Sequence, residues 1–172
     1  MVTDKKGREV HPLVCTNEEL AAELSKYFDW YSSVADSCFK RVIPMLTPHY
    51  FASRENHMVS MAFGASIASK APLLMMQNSG LGLSLDALIG TFELYEKGCV
   101  IFLSNRGELK WEEIQHEFWG RITMPLLHSL GFTSIDFQKS GLDSIRMAHE
   151  LSTRENKVVF IIVHRGNLDE NE

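Results

Sequence analysis

Three uninterrupted apolar runs of strand length constrain the fold of this chain most strongly. They are Leu73–Met76, Cys99–Leu103 and Val158–Val163, and segments with helical character separate them. A strand that is apolar at every residue is typical of a sheet buried on both faces, and strands that alternate with helices are typical of parallel sheets. The pattern therefore predicts an α/β fold: a single three-layer domain with a mostly parallel sheet of about six strands and helices on both faces.

Local signals predict the other elements. The predicted helices are Asn17–Phe28 with Thr16 as N-cap, Ser37–Leu46, Asn56–Ser69, a segment that ends near Glu96, Glu112–Leu130 and Asp143–Ser152. The other predicted strands are Trp30–Val34, Tyr50–Ser53 and Thr133–Phe137. We expect Gly120 and Pro125 to break or bend the helix that contains them, because both residue types weaken helix interiors.

Composition excludes several classes of protein. The chain has 172 residues and a net charge of −5 at pH 7, which suits one domain over residues 1–172. Lys and Arg are scattered, so no nucleic-acid surface is expected, and no apolar run approaches the roughly 20 residues that cross a bilayer. Cys15, Cys38 and Cys99 form no metal motif, which favours free, buried thiols in a cytoplasmic protein. We expect a core over about 13–166, a flexible N-terminus over 1–12 and a frayed acidic tail over 167–172.

Polar residues follow three predicted strands, where ligands bind in open α/β sheets. These segments are Ser53–Glu55, Gln77–Gly82 and Ser104–Gly107. Each has a simpler interpretation as well, because a glutamate is favoured in the first turn of any helix and glycines form ordinary tight turns. The glycine segment is no complete dinucleotide fingerprint, since Leu85 stands at the third glycine position. The seven histidines form no ligand motif, and we expect no metal ligands in this chain.

Taken together, these segments resemble the pyrimidine-binding domain of thiamine-diphosphate enzymes, above all phosphonopyruvate and sulfopyruvate decarboxylases. The stretches that carry the resemblance are Ser33–Lys40, Arg54-Glu55 with Gly64 nine positions after Glu55, Met76–Gly82, and Arg106–Glu108 followed by Gln115, His116, Gly120 and Thr123. The Gln-Asn-Ser-Gly-Leu-Gly string is the most specific of them. Ala35, Leu83, Asp86 and Ile114 depart from the family pattern.

The resemblance implies a role for each matched residue. Glu55 matches the glutamate that hydrogen-bonds the aminopyrimidine ring of thiamine diphosphate. His116 matches a proton donor, and packing between helices is an equally good account of it. The other residues implied to bind the cofactor are Asn78, Ser79, Gly80, Leu81 and Gly82. Those implied to bind an anionic 2-keto acid substrate are Asp36, Ser37, Lys40, Arg54 and Arg106. For Lys40, a surface role is an equal alternative.

The resemblance also implies a partner. Thiamine-diphosphate enzymes hold the diphosphate through Mg²⁺ with a Gly-Asp-Gly segment and a downstream asparagine, and this sequence has no Gly-Asp-Gly. We therefore expect a separate diphosphate-binding subunit that carries the Mg²⁺ ligands, in an α₂β₂ assembly with the cofactor at the interface between the chains.

Three functions remain open on sequence grounds. The first is a subunit of a 2-keto acid decarboxylase of the phosphonopyruvate or sulfopyruvate type, which yields an aldehyde and carbon dioxide. The second is a carboligase subunit similar to acetolactate synthase, which yields a hydroxyketone. The third is a non-catalytic binding or regulatory domain of the same fold, against which the presence of Glu55 argues.

Overall fold

A computed structural model describes residues 1–169 of the chain. Its centre is a parallel sheet of six strands in the order β4-β3-β5-β6-β8-β7. The strands are β3 (Trp30–Ser33), β4 (His49–Phe51), β5 (Pro72–Gln77), β6 (Cys99–Asn105), β7 (Thr133–Asp136) and β8 (Val158–His164). The three apolar runs form the three central strands β5, β6 and β8, which confirms the predicted α/β fold.

Within residues 1–169, six α-helices connect and cover these strands. They are α1 (Asn17–Leu24), α2 (Glu55–Ile67), α3 (Leu81–Leu88), α4 (Ile114–Ser129), α5 (Phe137–Ser140) and α6 (Asp143–Arg154). A short 3₁₀ turn over Asn78–Gly80 precedes α3, and a π-helical segment over Ile89–Glu93 follows it. Helix α1 begins as predicted: Thr16 accepts from the Glu19 N–H and Glu19 accepts from the Thr16 N–H, so the two residues form a capping box.

The sheet separates two apolar layers, as the predicted three-layer architecture requires. Alternate residues of a strand point to opposite faces. Thus Leu73 and Met75 of β5 pack with α1, α5 and α6, while Leu74 and Met76 pack with α2, α3 and α4. Burial on both faces explains why these strands are apolar without alternation.

The predicted helix over Ser37–Leu46 is wrong. Residues 37–42 form turns, and only Ile43–Met45 form a 3₁₀ helix. The Asp36 carboxylate accepts from the Cys38 N–H at 2.8 Å, as an N-cap side chain would, so the helix start signal is present. Pro44 opposes a continued helix, because it has no N–H to donate and its ring would clash with the Lys40 carbonyl of an α-helix.

Of the break or bend expected in α4, the break is wrong, since the helix is continuous from Ile114 to Ser129 with Pro125 inside it; the bend stays a prediction. A proline removes one backbone donor, and the buried side chains Thr123 and Leu127 hold the helix on both sides of it. Gly120 is a contact point: a Cβ there would lie 2.4 Å from the carbonyl oxygen of Gly107. The glycine lets α4 approach the loop after β6.

The two ends of the described chain pack on the sheet domain. Where a flexible segment is expected over 1–12, the structure has an antiparallel pair, β1 (Val2–Thr3) and β2 (Glu9–Val10). Trp111 donates from Nε1 to the Glu9 carbonyl at 2.6 Å. Of the tail expected over 167–172, Asn167 and Leu168 are buried, and residues 170–172 lie outside the described part of the chain.

Two further expectations concern thiols and membranes. Cys15, Cys38 and Cys99 are buried thiols that form no disulfide with one another, as predicted. Among the described residues, no helix has the length and apolar character that crossing a bilayer requires.

Candidate functional site

The three polar segments singled out in the sequence lie at one edge of the sheet. The strands β4, β3, β5 and β6 are neighbours and parallel, so their carboxyl ends share this edge. Glu55 begins α2 just after β4, the 3₁₀ turn follows β5, and Arg106 follows β6. The sheet topology therefore brings together segments that are far apart in the sequence.

Glu55 lies directly against Gly80. The glutamate is half-buried at the N-terminus of α2, where the helix dipole favours a carboxylate. A Cβ built on Gly80 would lie 2.4 Å from Glu55 Cγ and 2.6 Å from Glu55 Oε1. Any larger residue at position 80 would overlap the Glu55 side chain. The position of the Glu55 carboxyl group therefore explains why residue 80 is a glycine.

The rest of this turn divides between the surface and the core. Ser79 is half-buried and accepts from Gln77 Nε2 at 2.8 Å. Gly82 is exposed, and a Cβ there would lie 3.0 Å from the indole of Trp119 on α4. Leu81 is fully buried. A cofactor at this edge would meet Ser79 and Gly82 and not the Leu81 side chain.

Asn78 connects the turn to the segment after β6. Its buried Nδ2 lies within hydrogen-bond distance of three acceptors, which share its two hydrogens: Asn105 Oδ1 at 3.1 Å, the Arg106 carbonyl at 2.9 Å and Thr123 Oγ1 at 3.1 Å. Its Oδ1 is buried and accepts no hydrogen bond from any described residue. Buried polar atoms are rarely left without a partner, so this oxygen is a candidate acceptor for a ligand.

Arg106 is buried and held by Glu112. Its Nε donates to Glu112 Oε1 at 2.6 Å, and the two side chains are 10% and 1% exposed. Burial opposes the charge of Arg106, but the hydrogen bond to Glu112 raises its pKa. Arg106 therefore stays charged while fixed in one orientation.

Ser37 accepts hydrogen bonds from two guanidinium groups. Arg106 and Arg165 each donate from Nη1 to Ser37 Oγ at 3.1 Å. An oxygen that accepts twice keeps its own hydrogen for a further acceptor. Ser37, Arg165 and Lys40 also line a cavity of about 590 Å³ beside the N-terminal hairpin. This corner is suited to an anion.

Asp36 and His116 are buried beside this corner. The carboxylate of Asp36 accepts from Ser104 Oγ and from the Cys38 N–H, so it fixes the chain after β3. Burial and the neighbouring Arg106 lower the pKa of His116, which makes the imidazole neutral at pH 7. Its buried Nδ1 has no hydrogen-bond partner within residues 1–169.

Arg54 lies outside the hydrogen-bond network that joins Ser37, Arg106 and Asn78. It precedes α2 at the exposed N-cap position and makes no side-chain cap hydrogen bond. Lys40 is exposed at the mouth of the cavity. Both are placed to meet a ligand from the solvent side and neither is fixed by an ion pair with a described residue.

Sequence reasoning missed Glu112 and Arg165. Glu112 pairs with Arg106 and accepts from the backbone N–H groups of Gly107, Glu108 and Leu109. Arg165 follows the last strand and reaches Ser37 across the sheet edge. Neither lies in a recognisable motif, and no local spacing indicates either contact.

The residues at this edge fit an aminopyrimidine ring. Such a ring presents a nitrogen that bonds a carboxyl group and an amino group that needs an acceptor. Glu55 supplies a half-buried carboxyl group, and Asn78 Oδ1 supplies a buried acceptor without a described partner. The space at Gly80, which a Cβ would fill, is occupied by the Glu55 side chain. The donor and acceptor set therefore matches the group that the resemblance implies.

Comparison with known proteins agrees with the fold and the resemblance. No family model matches the chain. The 2-oxoglutarate:ferredoxin oxidoreductase of Magnetococcus marinus superposes with a TM-score of 0.65 at 13% identity, over 94% of this chain and 30% of that chain. At that identity the likeness concerns the fold.

Curated relatives are more similar in sequence. The sulfopyruvate decarboxylase subunit alpha of Methanococcus maripaludis is 31% identical over 115 residues, which is 63% of this chain and 68% of that protein. The subunit of the same name in Methanothermobacter thermautotrophicus is 31% identical over 118 residues, 67% of this chain and 71% of that protein. The predicted resemblance is confirmed: the chain belongs to the family of sulfopyruvate decarboxylase alpha subunits.

Proposed function

We propose that this chain is the pyrimidine-binding subunit of a thiamine-diphosphate-dependent decarboxylase that acts on an anionic 2-keto acid of the sulfopyruvate or phosphonopyruvate type. The observation that carries the proposal is the Glu55 carboxyl group, held against Gly80 at the carboxyl edge of the sheet. When bound, thiamine diphosphate supplies the electron sink that accepts the electron pair left by departing carbon dioxide.

In this proposal Glu55 holds a proton at the aminopyrimidine ring. A carboxyl group in a partly water-excluded position can share a proton with a ring nitrogen. Asn78 Oδ1 offers an acceptor in the same turn, and Ser79 and Gly82 provide its accessible surface. Together these residues bind and orient the ring.

The corner formed by Ser37, Arg106 and Arg165 binds the substrate anion. Ser37 donates its hydrogen outward because two arginines donate to its oxygen. Lys40 adds a cationic side chain at the same cavity, and Arg54 approaches from α2. A sulfonate or phosphonate group needs such donors. His116 is buried behind this corner. To protonate the intermediate after loss of carbon dioxide it must first take up a proton at Nδ1, which has no partner within residues 1–169, so its role as donor requires the imidazolium form.

The proposal includes a second subunit. The relatives are named alpha subunits, and this sequence lacks the Gly-Asp-Gly segment that holds Mg²⁺ and the diphosphate. Large apolar side chains remain exposed on α3, on the π-helical segment and the turn after it, and on α4; they are Leu83, Ile89, Leu94, Tyr95, Ile114 and Phe118. Contiguous exposed apolar surface marks interaction sites. We assign it to the diphosphate-binding partner, in an α₂β₂ assembly.

The test is a reconstituted assay with a matched pair of glutamate variants. The proposal predicts a roughly equal-sized chain with Gly-Asp-Gly and a downstream asparagine in the same genome. Co-expressed with it, and supplied with thiamine diphosphate and Mg²⁺, the chain should release carbon dioxide and an aldehyde from 3-sulfopyruvate or 3-phosphonopyruvate. Hydroxyketone formation in place of aldehyde would instead assign a carboligase.

Glu55→Gln is expected to lower kcat by at least about 100-fold, because general acid–base roles contribute on that order. Glu18→Gln is the control, since Glu18 is likewise an acidic residue in the first turn of a helix, but on α1 and exposed. Full activity of the Glu55→Gln assembly would leave only a non-catalytic role for this chain.

A further inference from the structure

Two histidines and a glutamate meet at a place that the proposed reaction does not use. His11 precedes α1, Glu108 lies in the loop after β6, and His164 ends β8. One ligand atom from each lies within 4.8 Å of the others. Glu108 Oε2 is 2.6 Å from His164 Nδ1 and 3.6 Å from His11 Nε2. The short contact between His164 and Glu108 is a hydrogen bond, so an ion at the point where the three atoms meet would replace the shared proton.

The backbone holds each of these residues in place. The His11 N–H donates to the Arg165 carbonyl at 2.8 Å, and the His164 N–H donates to Asn167 Oδ1 at 2.9 Å. The Glu108 N–H donates to Glu112 Oε2 at 3.1 Å. The two imidazole rings stack with centroids 4.6 Å apart. Anchoring of this kind reduces the cost of ordering ligands around an ion.

A fourth residue completes the pattern of a metal site. Asp136 ends β7, and its Oδ1 lies 3.4 Å from Nε2 of His164, the ring nitrogen opposite the one that faces Glu108. Metal-ligating histidines commonly donate their other ring nitrogen to a carboxylate, which fixes the tautomer and the ring orientation. Asp136 stands in that relation to His164.

We propose that His11 Nε2, Glu108 Oε2 and His164 Nδ1 bind a divalent transition metal, with Asp136 as the outer partner of His164. Two imidazoles and one carboxylate suit Zn²⁺ and similar ions, whereas Mg²⁺ prefers oxygen ligands. Ligands about 2.0–2.2 Å from one ion lie up to roughly 4 Å apart, so small side-chain rotations bring these atoms into range.

The site keeps an open coordination position. The side chains of His11, Glu108 and His164 are 23%, 28% and 12% exposed, so water reaches the point where they meet. Three protein ligands plus a water are typical of open zinc sites. The ion would also join the N-terminal segment to the ends of β6 and β8, since His11 lies between β2 and α1.

The test measures Zn²⁺ binding by the full chain, by isothermal titration and by competition with a chromogenic chelator. We expect one Zn²⁺ per chain and no measurable competition from Mg²⁺. His164→Ala should weaken the affinity by more than the roughly 10- to 100-fold that loss of an outer partner costs, and Asp136→Asn should weaken it within that range. The amide oxygen introduced by Asp136→Asn can still accept from the Lys139 N–H, so the cap of α5 is kept.

The matched control is His128→Ala, which removes an exposed histidine from the last turn of α4 and should leave Zn²⁺ affinity unchanged. Glu108→Gln is the near-isosteric variant that keeps the fold and removes the anionic ligand. Absence of stoichiometric Zn²⁺ binding by the unaltered chain would overturn the proposal. So would equal affinities of the His164→Ala, Glu108→Gln and His128→Ala variants. The readout is independent of decarboxylase activity.

Discussion

At the scale of single residues, Gly80 determines where the Glu55 carboxyl group can lie. The glycine adopts ordinary right-handed helical angles, so backbone conformation does not require it. Space does, because an added Cβ would overlap Glu55 Cγ at 2.4 Å. The position of Glu55, which touches the proposed cofactor, therefore depends on the absence of a side chain at Gly80.

Gly80→Ala is expected to displace Glu55 and lower kcat of the assembled enzyme by at least about tenfold, since small displacements of catalytic groups are costly. Stability, measured by urea unfolding, should change little, because the overlapping atoms all belong to the Glu55 side chain, which can move aside. The control is Gly90→Ala, because Gly90 is exposed in the π-helical segment and a Cβ there meets nothing within 4 Å. Equal activity of the two variants would contradict the role of the Glu55–Gly80 contact.

At the scale of elements, one carboxylate organises the loop between β6 and α4. Glu112 is 1% exposed, accepts from Arg106 Nε and receives the backbone N–H groups of Gly107, Glu108 and Leu109. Gly107 has φ of +89° and a Cβ there would overlap the His116 carbonyl. The loop thus holds Arg106 toward Ser37 and packs closely on α4.

Glu112→Gln should destabilise the fold by roughly 3–5 kcal/mol, because it leaves the buried Arg106 charge without its partner. Glu113→Gln is the neighbouring control, since Glu113 is exposed and makes no cap hydrogen bond; surface changes of this kind stay within about ±0.5 kcal/mol. Chemical denaturation of both variants measures the difference. Similar unfolding midpoints would show that the buried pair contributes little.

At the scale of the whole molecule, the two faces of the sheet domain differ in what they leave exposed. Helices α3 and α4 carry Leu83 at 47%, Ile114 at 85% and Phe118 at 55% exposed. Elsewhere, Met147 of α6 is 39%, Met45 43% and Leu13 56% exposed, but these three lie on different segments of the chain. The α3–α4 side therefore offers the broader apolar surface for a partner.

Phe118→Asp is expected to weaken association with the diphosphate-binding subunit by at least about tenfold, since aromatic residues dominate interface energetics. Met147→Asp on the other face is the control and should leave association unchanged. Size-exclusion chromatography of the co-expressed chains, followed by titration of one subunit with the other, measures both. Loss of association with Met147→Asp alone would place the interface on the opposite face and contradict this assignment.

Much of the fold follows from local patterns. The apolar runs predicted the central strands, and the Thr16–Glu19 spacing marked the start of α1. The predictions about single residues in helices failed where the structure around the residue was not considered. Pro125 remains inside a helix because packing on both sides compensates for one missing donor. The predicted helix over Ser37–Leu46 is reduced to a 3₁₀ turn over Ile43–Met45, because Pro44 has no N–H to donate to an α-helical bond.

The candidate site divides in the same way. Short-range sequence patterns predicted the α/β class and polar segments at the strand ends, and the resemblance to the family added Glu55 as the first candidate. Only the tertiary structure decided that Arg165 reaches Ser37 and that His11, Glu108 and His164 meet. Parallel strands collect their carboxyl ends at one edge whatever their separation in the chain, and no local pattern records which side chains become neighbours there.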